Sequence, residues 1–266
     1  MSESLRPSLL YLWNLRTLYI GESQQAEDLT QGAGSLVFGI EGDVQISKTK
    51  SDCRISARSI LIPPGASFSL ESFSRNIAVF YLDPVGEDFE MFKLLMQEEK
   101  SGVYLNSRYE EEQLATLNKV HNELLEESAA YELLGRVFFE LPEREQINHK
   151  VDDRIRAVIQ IIKDELTVNH PNQELAERVG LTEVQLSRLF KATTGVPIRR
   201  YRLWHRLFVT AIRMAEGQTL TDAALEAGFS DSSHFNHVFR SMLGLKPSDV
   251  LNRKEHMKIF VGGLLE

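Results

Sequence analysis

Cysteine is all but missing: Cys53 is the single one in 266 residues. That excludes an internal disulfide framework and a cysteine-built zinc site. No histidine precedes His121, so the amino-terminal region has no ligand set for a metal-dependent oxygenase barrel. No stretch approaches the roughly 18 apolar residues of a membrane span, and no basic segment followed by an apolar run opens the chain. The expectation is a cytoplasmic protein with no membrane partner. Neither a Ser/His/Asp grouping nor a phosphate-cradling glycine loop is present. The expectation is therefore a chain that is not an enzyme and uses no cofactor and no metal.

Positive charge is also short overall. The net charge is −8, but it is unevenly spread. From Pro171 onward 13 Lys and Arg stand against 10 Asp and Glu, a balance of +3 that leaves −11 for the rest. The acidic part is amino-terminal and the basic part carboxy-terminal. So small an excess does not hold a polyanion by bulk attraction. Affinity for one would rest on placed phosphate contacts and on dimerisation.

What the chain does have begins with β structure over about residues 1–85. Apolar runs at Leu36–Phe38, Val44–Ile46, Ser59–Ile62 and Ile77–Tyr81 alternate with turn chemistry at Glu41-Gly42-Asp43, Pro63-Pro64-Gly65 and Asp83-Pro84. Strands at this spacing predict a small barrel or jelly roll. From Asp88 the period becomes helical. One helix is predicted around Phe89–Met96, one over Arg108–Glu126 and one over Ser128–Leu141, closed by Pro142. The seam of Leu114, Leu117 and Leu124 needs a partner, either the barrel or a second chain, and predicts a homodimer. The polar stretch Glu143–Val151 reads as a linker. The predicted domains are 1–145, with β structure to about 85 and helices over about 88–141, and 150–254. Helical period resumes at Asp152–Leu166.

The last third carries two helix-turn-helix patterns, Asn172–Thr194 and Thr221–Gly244, with turn glycines Gly180 and Gly228. In the first, Leu175, Ala176 and Val179 face inward, Thr182 is placed as N-cap with Gln185 completing a capping box, and Leu186, Leu189 and Phe190 bury. Val184, Gln185, Ser187, Arg188 and Lys191 face out. In the second, Ala223, Ala224 and Ala227 line the first helix, Ser230 is placed as cap, and Phe235, Val238 and Phe239 bury. Ser232, Ser233, Asn236, His237 and Arg240 face out. Ile198–Glu216 joins the units as one helix. At 1.5 Å per residue it spans roughly 28 Å, close to the ~34 Å between successive major-groove faces of B-DNA. Two such units in series predict a reader of double-stranded DNA.

Over about residues 152–251 the chain resembles the AraC/XylS family of bacterial transcription regulators. The resemblance lies in Leu186-Ser187-Arg188-Leu189-Phe190-Lys191, in Gly195-Val196-Pro197, and in Tyr201, Arg206, Leu207 and Ala211. It is strongest in Ala227-Gly228-Phe229-Ser230-Asp231-Ser232-Ser233-His234-Phe235, followed by Phe239-Arg240 and Gly244 to Pro247. It implies base reading by Val184, Ser187 and Arg188 in the first unit and by Ser232, Ser233, Asn236 and His237 in the second. His237 stands where many members have Arg, and histidine is the weaker guanine partner at neutral pH. The resemblance further implies a cupin-like β domain and a helical dimerisation segment ahead of the reader, RNA polymerase as a partner, and the role of an activator. The fold class expected is α+β, with an all-α carboxy-terminal domain.

Single residues also have plain readings. Tyr201 and Trp204 are read as interdomain core rather than base-stacking platforms. His121 is read as a packing histidine, and Cys53 as an ordinary strand residue. The amino-terminal half then senses a small-molecule effector or a protein effector, inhibitor or coactivator. A cavity lined by Trp13, Phe38, Phe68 or Tyr81 would favour the small molecule. A packed barrel with an exposed apolar patch would favour the protein.

Overall fold

The computed structural model describes residues 6–14, 16–23, 25–48, 54–244, 247 and 257–263. Cys53 lies outside them. The amino-terminal half contains β1 (Ser8–Trp13), β2 (Arg16–Glu22), β3 (Ala26–Thr30), β4 (Gly34–Gly39), β5 (Val44–Lys48), β6 (Arg54–Ala57), β7 (Ser59–Ile62), β8 (Ser67–Ser72) and β9 (Asn76–Leu82). Then follow α1 (Asp88–Leu95), β10 (Met96–Lys100), β11 (Val103–Ser107), α2 (Glu110–Glu123) and α3 (Glu127–Leu134). The carboxy-terminal half contains α4 (Asp153–Asp164), α5 (Asn172–Arg178), α6 (Glu183–Thr194), α7 (Ile198–Ala215), α8 (Leu220–Glu226), α9 (Ser232–Leu243) and β12 (Met257–Val261). The expected α+β class is what is observed.

The centre of the architecture is β4 and β9, paired antiparallel from Gly34↔Leu82 to Gly39↔Ile77. Every residue of β4 is buried, and β9 is buried from Ile77 onward. Strands covered on both faces read as continuous apolar runs, which is why the sequence exposes them. In β9 the side chains of Ile77, Val79 and Tyr81 join one core, and those of Ala78, Phe80 and Leu82 another. This is the period-two alternation of a strand. They belong to a sheet ordered β10-β11-β7-β4-β9-β2-β1-β12. One face packs on a second sheet, β3-β8-β5-β6, through Val44, Ile46, Ile55, Phe68 and Leu70. The other face is covered by α1, α2 and α3.

This second face resolves the leucine seam. Leu117 is fully buried and Leu114 nearly so, in one core with Leu18, Ile20 and Phe80 of the sheet. The partner of the seam is the chain's own sheet, so the seam gives no reason for a dimer. The helix around Leu141 is also shorter than expected. It gives way to a π-helical turn, Gly135–Phe139, whose Phe138 packs against Phe80 at 4.8 Å between ring centroids. The run of helices predicted over 88–141 is interrupted by the hairpin β10–β11. Its strand MQEEK is mostly exposed and charged and carries no apolar period to read. His121 is buried, its Nε2 3.3 Å from the Pro7 carbonyl, and burial lowers its pKa.

The two helix-turn-helix units are held differently. The first has a core of its own, with Ile155, Val158, Ile162, Leu175, Leu186, Phe190 and Tyr201. The second does not: Ala224, Ala227, Phe229, Phe235, Phe239 and Met242 join the core between the sheets. Gly244 lies so close to Ala26 of β3 that a side chain there has no room. The last strand, β12, pairs parallel with β1, joining the carboxy-terminal end of the chain to the amino-terminal sheet.

Candidate nucleic-acid interface and interdomain cleft

The first unit forms as its local chemistry dictates. α5 ends at Val179, and Gly180 takes φ +68°, a left-handed conformation suited to glycine. Thr182 then caps α6: its Oγ1 accepts from the Gln185 N–H at 3.3 Å, and Gln185 Oε1 accepts from the Thr182 N–H at 3.0 Å. This is the expected capping box, and it uses one end of the Gln185 amide. Leu186 and Phe190 bury, while Val184, Gln185, Ser187, Arg188 and Lys191 are exposed. Val184 is 78% exposed on a helix whose other face is packed. An apolar side chain held in water this way suits contact with a thymine methyl group.

The second unit repeats the plan with one change. Gly228 has φ +88°. The cap of α9 is Asp231 rather than Ser230: Asp231 Oδ1 accepts from the His234 N–H at 2.8 Å, and Ser230 Oγ donates to Asp231 Oδ2 at 2.9 Å. The backbone bond holds the Asp231 carboxyl below the usual range. Ser232, Ser233, His237 and Arg240 are exposed and Asn236 is half-buried. All ten residues proposed from the sequence thus lie on α6 or α9, on surfaces left open to solvent in whole or part.

Among the described residues, Arg188, Lys191 and Arg240 make no ion pair, whereas Arg178 is bound to Glu165 at 2.9 Å and Glu174 at 2.6 Å. His170, buried, lies between the same two carboxylates, Nε2 at 2.7 Å from Glu165 and Nδ1 at 2.9 Å from Glu174. Three arginines of α7 are satisfied by backbone: Arg200 donates to Thr30 O at 2.6 Å, Arg202 to His170 O at 3.1 Å and Arg206 to Leu166 O at 2.9 Å. Arg188, Lys191 and Arg240 are therefore open on the recognition helices, as Arg199 is at the start of α7, where an approaching phosphate or guanine can take them.

α7 sets the spacing. Its 18 residues span about 27 Å at 1.5 Å each. Tyr201 is buried in the core of the first unit, and Trp204 packs on Tyr81 at 5.1 Å and against Gly32. Both aromatics are packing residues, as expected. The corner Pro63-Pro64-Gly65 presses on Gly195, which caps α6.

Between the halves runs a cleft of about 840 Å³. Its walls include Trp13, Arg16 and Tyr81 from the sheet, Lys163 from α4, and Trp204, His205, Phe208 and Arg213 from α7. Of the four aromatics expected to line a cavity, Trp13 and Tyr81 do so; Phe38 and Phe68 are instead spent in the two cores. Each cation is paired: Arg16 binds Asp88 at 2.9 Å, Lys163 Nζ is 3.9 Å from Asp83, and Arg213 is 3.1 Å from Glu216. Burial draws the His205 imidazole down to about 4, with Lys163 adding to the effect. Burial pushes the Asp83 carboxyl up despite Lys163. Thr17, Tyr81, Trp204 and Phe208 also line a narrower pocket, nearly all apolar, which continues to Leu207, Phe235, Phe239 and Met257. The cleft joins five segments distant in sequence, at 13–17, 81–83, 163–164, 201–216 and 261–263, and no local pattern announces it. Among the described residues no cluster suited to a metal ion is found, and no helix is long and apolar enough to cross a membrane.

Comparison with known proteins agrees with this geometry. Residues 175–253 match the family described as a helix-turn-helix domain. The chain is 27% identical over 118 residues to the bifunctional transcriptional activator and DNA repair enzyme Ada of Escherichia coli, covering 44% of this chain and 33% of Ada. It is 34% identical over 80 residues to the transcriptional activator RhrA of Rhizobium meliloti, covering 29% of this chain and 25% of RhrA. The chain thus spans a third or less of these relatives. A crystal structure of ToxT from Vibrio cholerae superposes with a TM-score of 0.61 at 15% identity, covering 90% of this chain and 98% of ToxT. That likeness concerns the fold, a β-rich amino-terminal half followed by helix-turn-helix units.

Proposed function

Because the chain belongs, through its tandem helix-turn-helix domain, to the AraC/XylS family of transcription regulators, we propose that it binds double-stranded DNA sequence-specifically with α6 and α9 in adjacent major-groove turns. The observation that carries this is the pair of open faces, with Arg188, Lys191 and Arg240 unpaired, on two helices joined by one continuous α7. Arg188 and Val184 are assigned base contact, Lys191 and Arg240 phosphate contact. No enzymatic step is assigned to the chain. Action on RNA polymerase is proposed from the family alone. The test is to pull fragmented genomic DNA through the immobilised protein. A shared motif with two half-sites is expected; recovery of unrelated fragments would refute the reading.

We further propose that the amino-terminal half controls this binding through a small molecule seated in the interdomain cleft. A ligand there touches the sheet and α7 at once, so it can favour one placement of the reader over another. The cleft, mostly apolar with the charged groups of Arg16, Lys163 and Arg213 in its walls, adjoins a small, nearly all-apolar pocket and suits an amphiphile, head on the charged groups and tail along the cleft toward Leu207 and Phe235. The ToxT of Vibrio cholerae has been crystallised with an unsaturated fatty acid bound. Trp13 and Trp204 are the chain's two tryptophans, and both line the cleft. Titration with oleate should therefore change intrinsic tryptophan emission saturably, and butyrate should not. Equal or absent responses would remove the amphiphile from the account and reopen control by an inhibitor or coactivator protein.

A further inference from the structure

The last strand of the chain completes the sheet begun by the first. β12 lies parallel to β1 in the register Ser8↔Met257 to Leu12↔Val261, and the Gly262 N–H donates to Leu12 O at 3.0 Å. One face of β12 is fastened to the amino-terminal half: Phe260 stacks on Tyr11 at 4.8 Å, and the Tyr11 hydroxyl donates to Leu125 O at 2.6 Å. The other face meets the reader. Met257 is buried in one core with Leu207, Phe235, Phe239 and Met242.

The second unit is thus held at two places, Gly244 against β3 and β12 against β1, while the first unit has its own core and no such strand. β12 is a weak fastening by construction. It has five residues, stands at the edge of its sheet, and pairs in the parallel mode, the less stable per residue. Lys258 and Val261 are exposed. An edge that pairs its own tail in this way uses the same backbone chemistry by which sheets accept foreign strands.

We propose that β12 is a detachable strap whose docking site is the outer edge of β1. Seated, it holds α8 and α9 against the sheets and restrains the direction of α9 relative to α6. Released, it frees α8 and α9 to reorient about the carboxy-terminal end of α7, whose length still sets the spacing, until both recognition helices fit successive turns of DNA. Gly262 marks the end of the strap. It lies against the Glu127 carboxylate, which the Trp13 indole N–H holds at 2.7 Å, so a side chain at Gly262 must displace Glu127 from Trp13. A β-branched substitution at Gly262, whose N–H makes the last bond of the strap to Leu12 O, therefore disturbs the end of the strap and its Glu127–Trp13 contact without altering a core residue.

The test compares backbone amide exchange in the full chain, in Gly262→Val and in a chain lacking residues 257–266. In both variants β1 and α9 should exchange at least tenfold faster, with α6, β4 and β9 unchanged. A synthetic peptide of residues 257–263 should restore β1 protection to the shortened chain. If β1 loses protection and α9 does not, or if α6 and β4 lose it equally in Gly262→Val, the strap is refuted. Should the shortened chain fail to fold, Gly262→Val decides alone. Affinity for a mixed-sequence duplex of about 40 base pairs should rise at least threefold in Gly262→Val. Unchanged affinity with α9 loosened would overturn the regulatory role, and loss of binding by every form including the unmodified chain would strike the DNA reading instead.

Discussion

Arg206 and Gly228 meet where the two helix-turn-helix units join. A side-chain carbon on Gly228 would come within 3.0 Å of Arg206 Nε. The same guanidinium donates to Leu166 O and to Asn169 Oδ1, each at 2.9 Å. One buried cation on α7 thus ties the loop before the first unit to the turn of the second. Gly228→Ala should combine a left-handed strain with this crowding and cost about 1–3 kcal/mol. Arg206→Gln should leave buried acceptors unpaired at about 1–3 kcal/mol. Each corresponds to a fall of roughly 3–10 °C in unfolding midpoint. Calorimetry checks both, and a midpoint within a degree of the unmodified protein would remove the link.

Readout and attraction should separate by residue. Arg188→Ala should cost about 1–3 kcal/mol on a specific site and relax preference at one base position. Arg240→Ala should weaken binding to all duplexes alike and lower the salt slope by about one counterion. Binding isotherms at several salt concentrations distinguish the two. If both variants lose only non-specific affinity, the first recognition face has been assigned wrongly.

The leucines of α2 now predict instability rather than dissociation. Leu117 is fully buried against the sheet, so Leu117→Glu places a carboxylate in an apolar core. The cost should exceed about 3 kcal/mol. Loss of cooperative unfolding of the amino-terminal half is the expected result. A folded variant of altered oligomeric state would show that the seam faces a second chain after all.

His205 gives the cleft a pH dependence. Its pKa in the fold, about 4, lies below the 6.5 of a free histidine. As pH falls from about 6.5 to about 4 the unfolded chain takes a proton that the folded chain refuses, so stability is lost across that window. With the ring half-buried the loss should be on the order of 2 kcal/mol. Lys163 opposes protonation of His205, while Asp83, whose carboxyl is pushed up by burial, acts in the opposite sense: the folded chain takes that proton before the unfolded one, so stability is gained as pH falls through its raised value. In His205→Gln the midpoint should fall less steeply between pH 6.5 and 4. An unaltered slope would place the desolvated group elsewhere.

How much of this was legible follows from the range of the signals. Gly180, Thr182 and Gln185 announce the first unit because turn, cap and capping box lie within six residues of one another. The cap of α9 was misplaced by one residue because Ser230 and Asp231 both suit the position, and only the Asp231 to His234 bond decides between them. β4 and β9 were legible through burial on both faces. β10 was not, since its exposed charges carry no apolar alternation. β12 has no local signature either, and its existence depends on an edge of β1 some 250 residues away. The cleft, assembled from β1, α4 and α7, is illegible for the same reason. The domain boundary proposed at Glu143–Val151 would be tested by a fragment from Lys150. The separate core of the first unit favours its folding, and the shared core of the second predicts faster amide exchange in α9 there.

In the proposed function α7 sets the two recognition helices one turn of DNA apart. A hydroxyl-radical footprint on the enriched DNA measures this directly. Two protected patches are expected on one face of the duplex, about 10–10.5 base pairs between centres, with loss of one patch when five base pairs are inserted between them. A single patch, or two that survive the insertion unchanged, would contradict it.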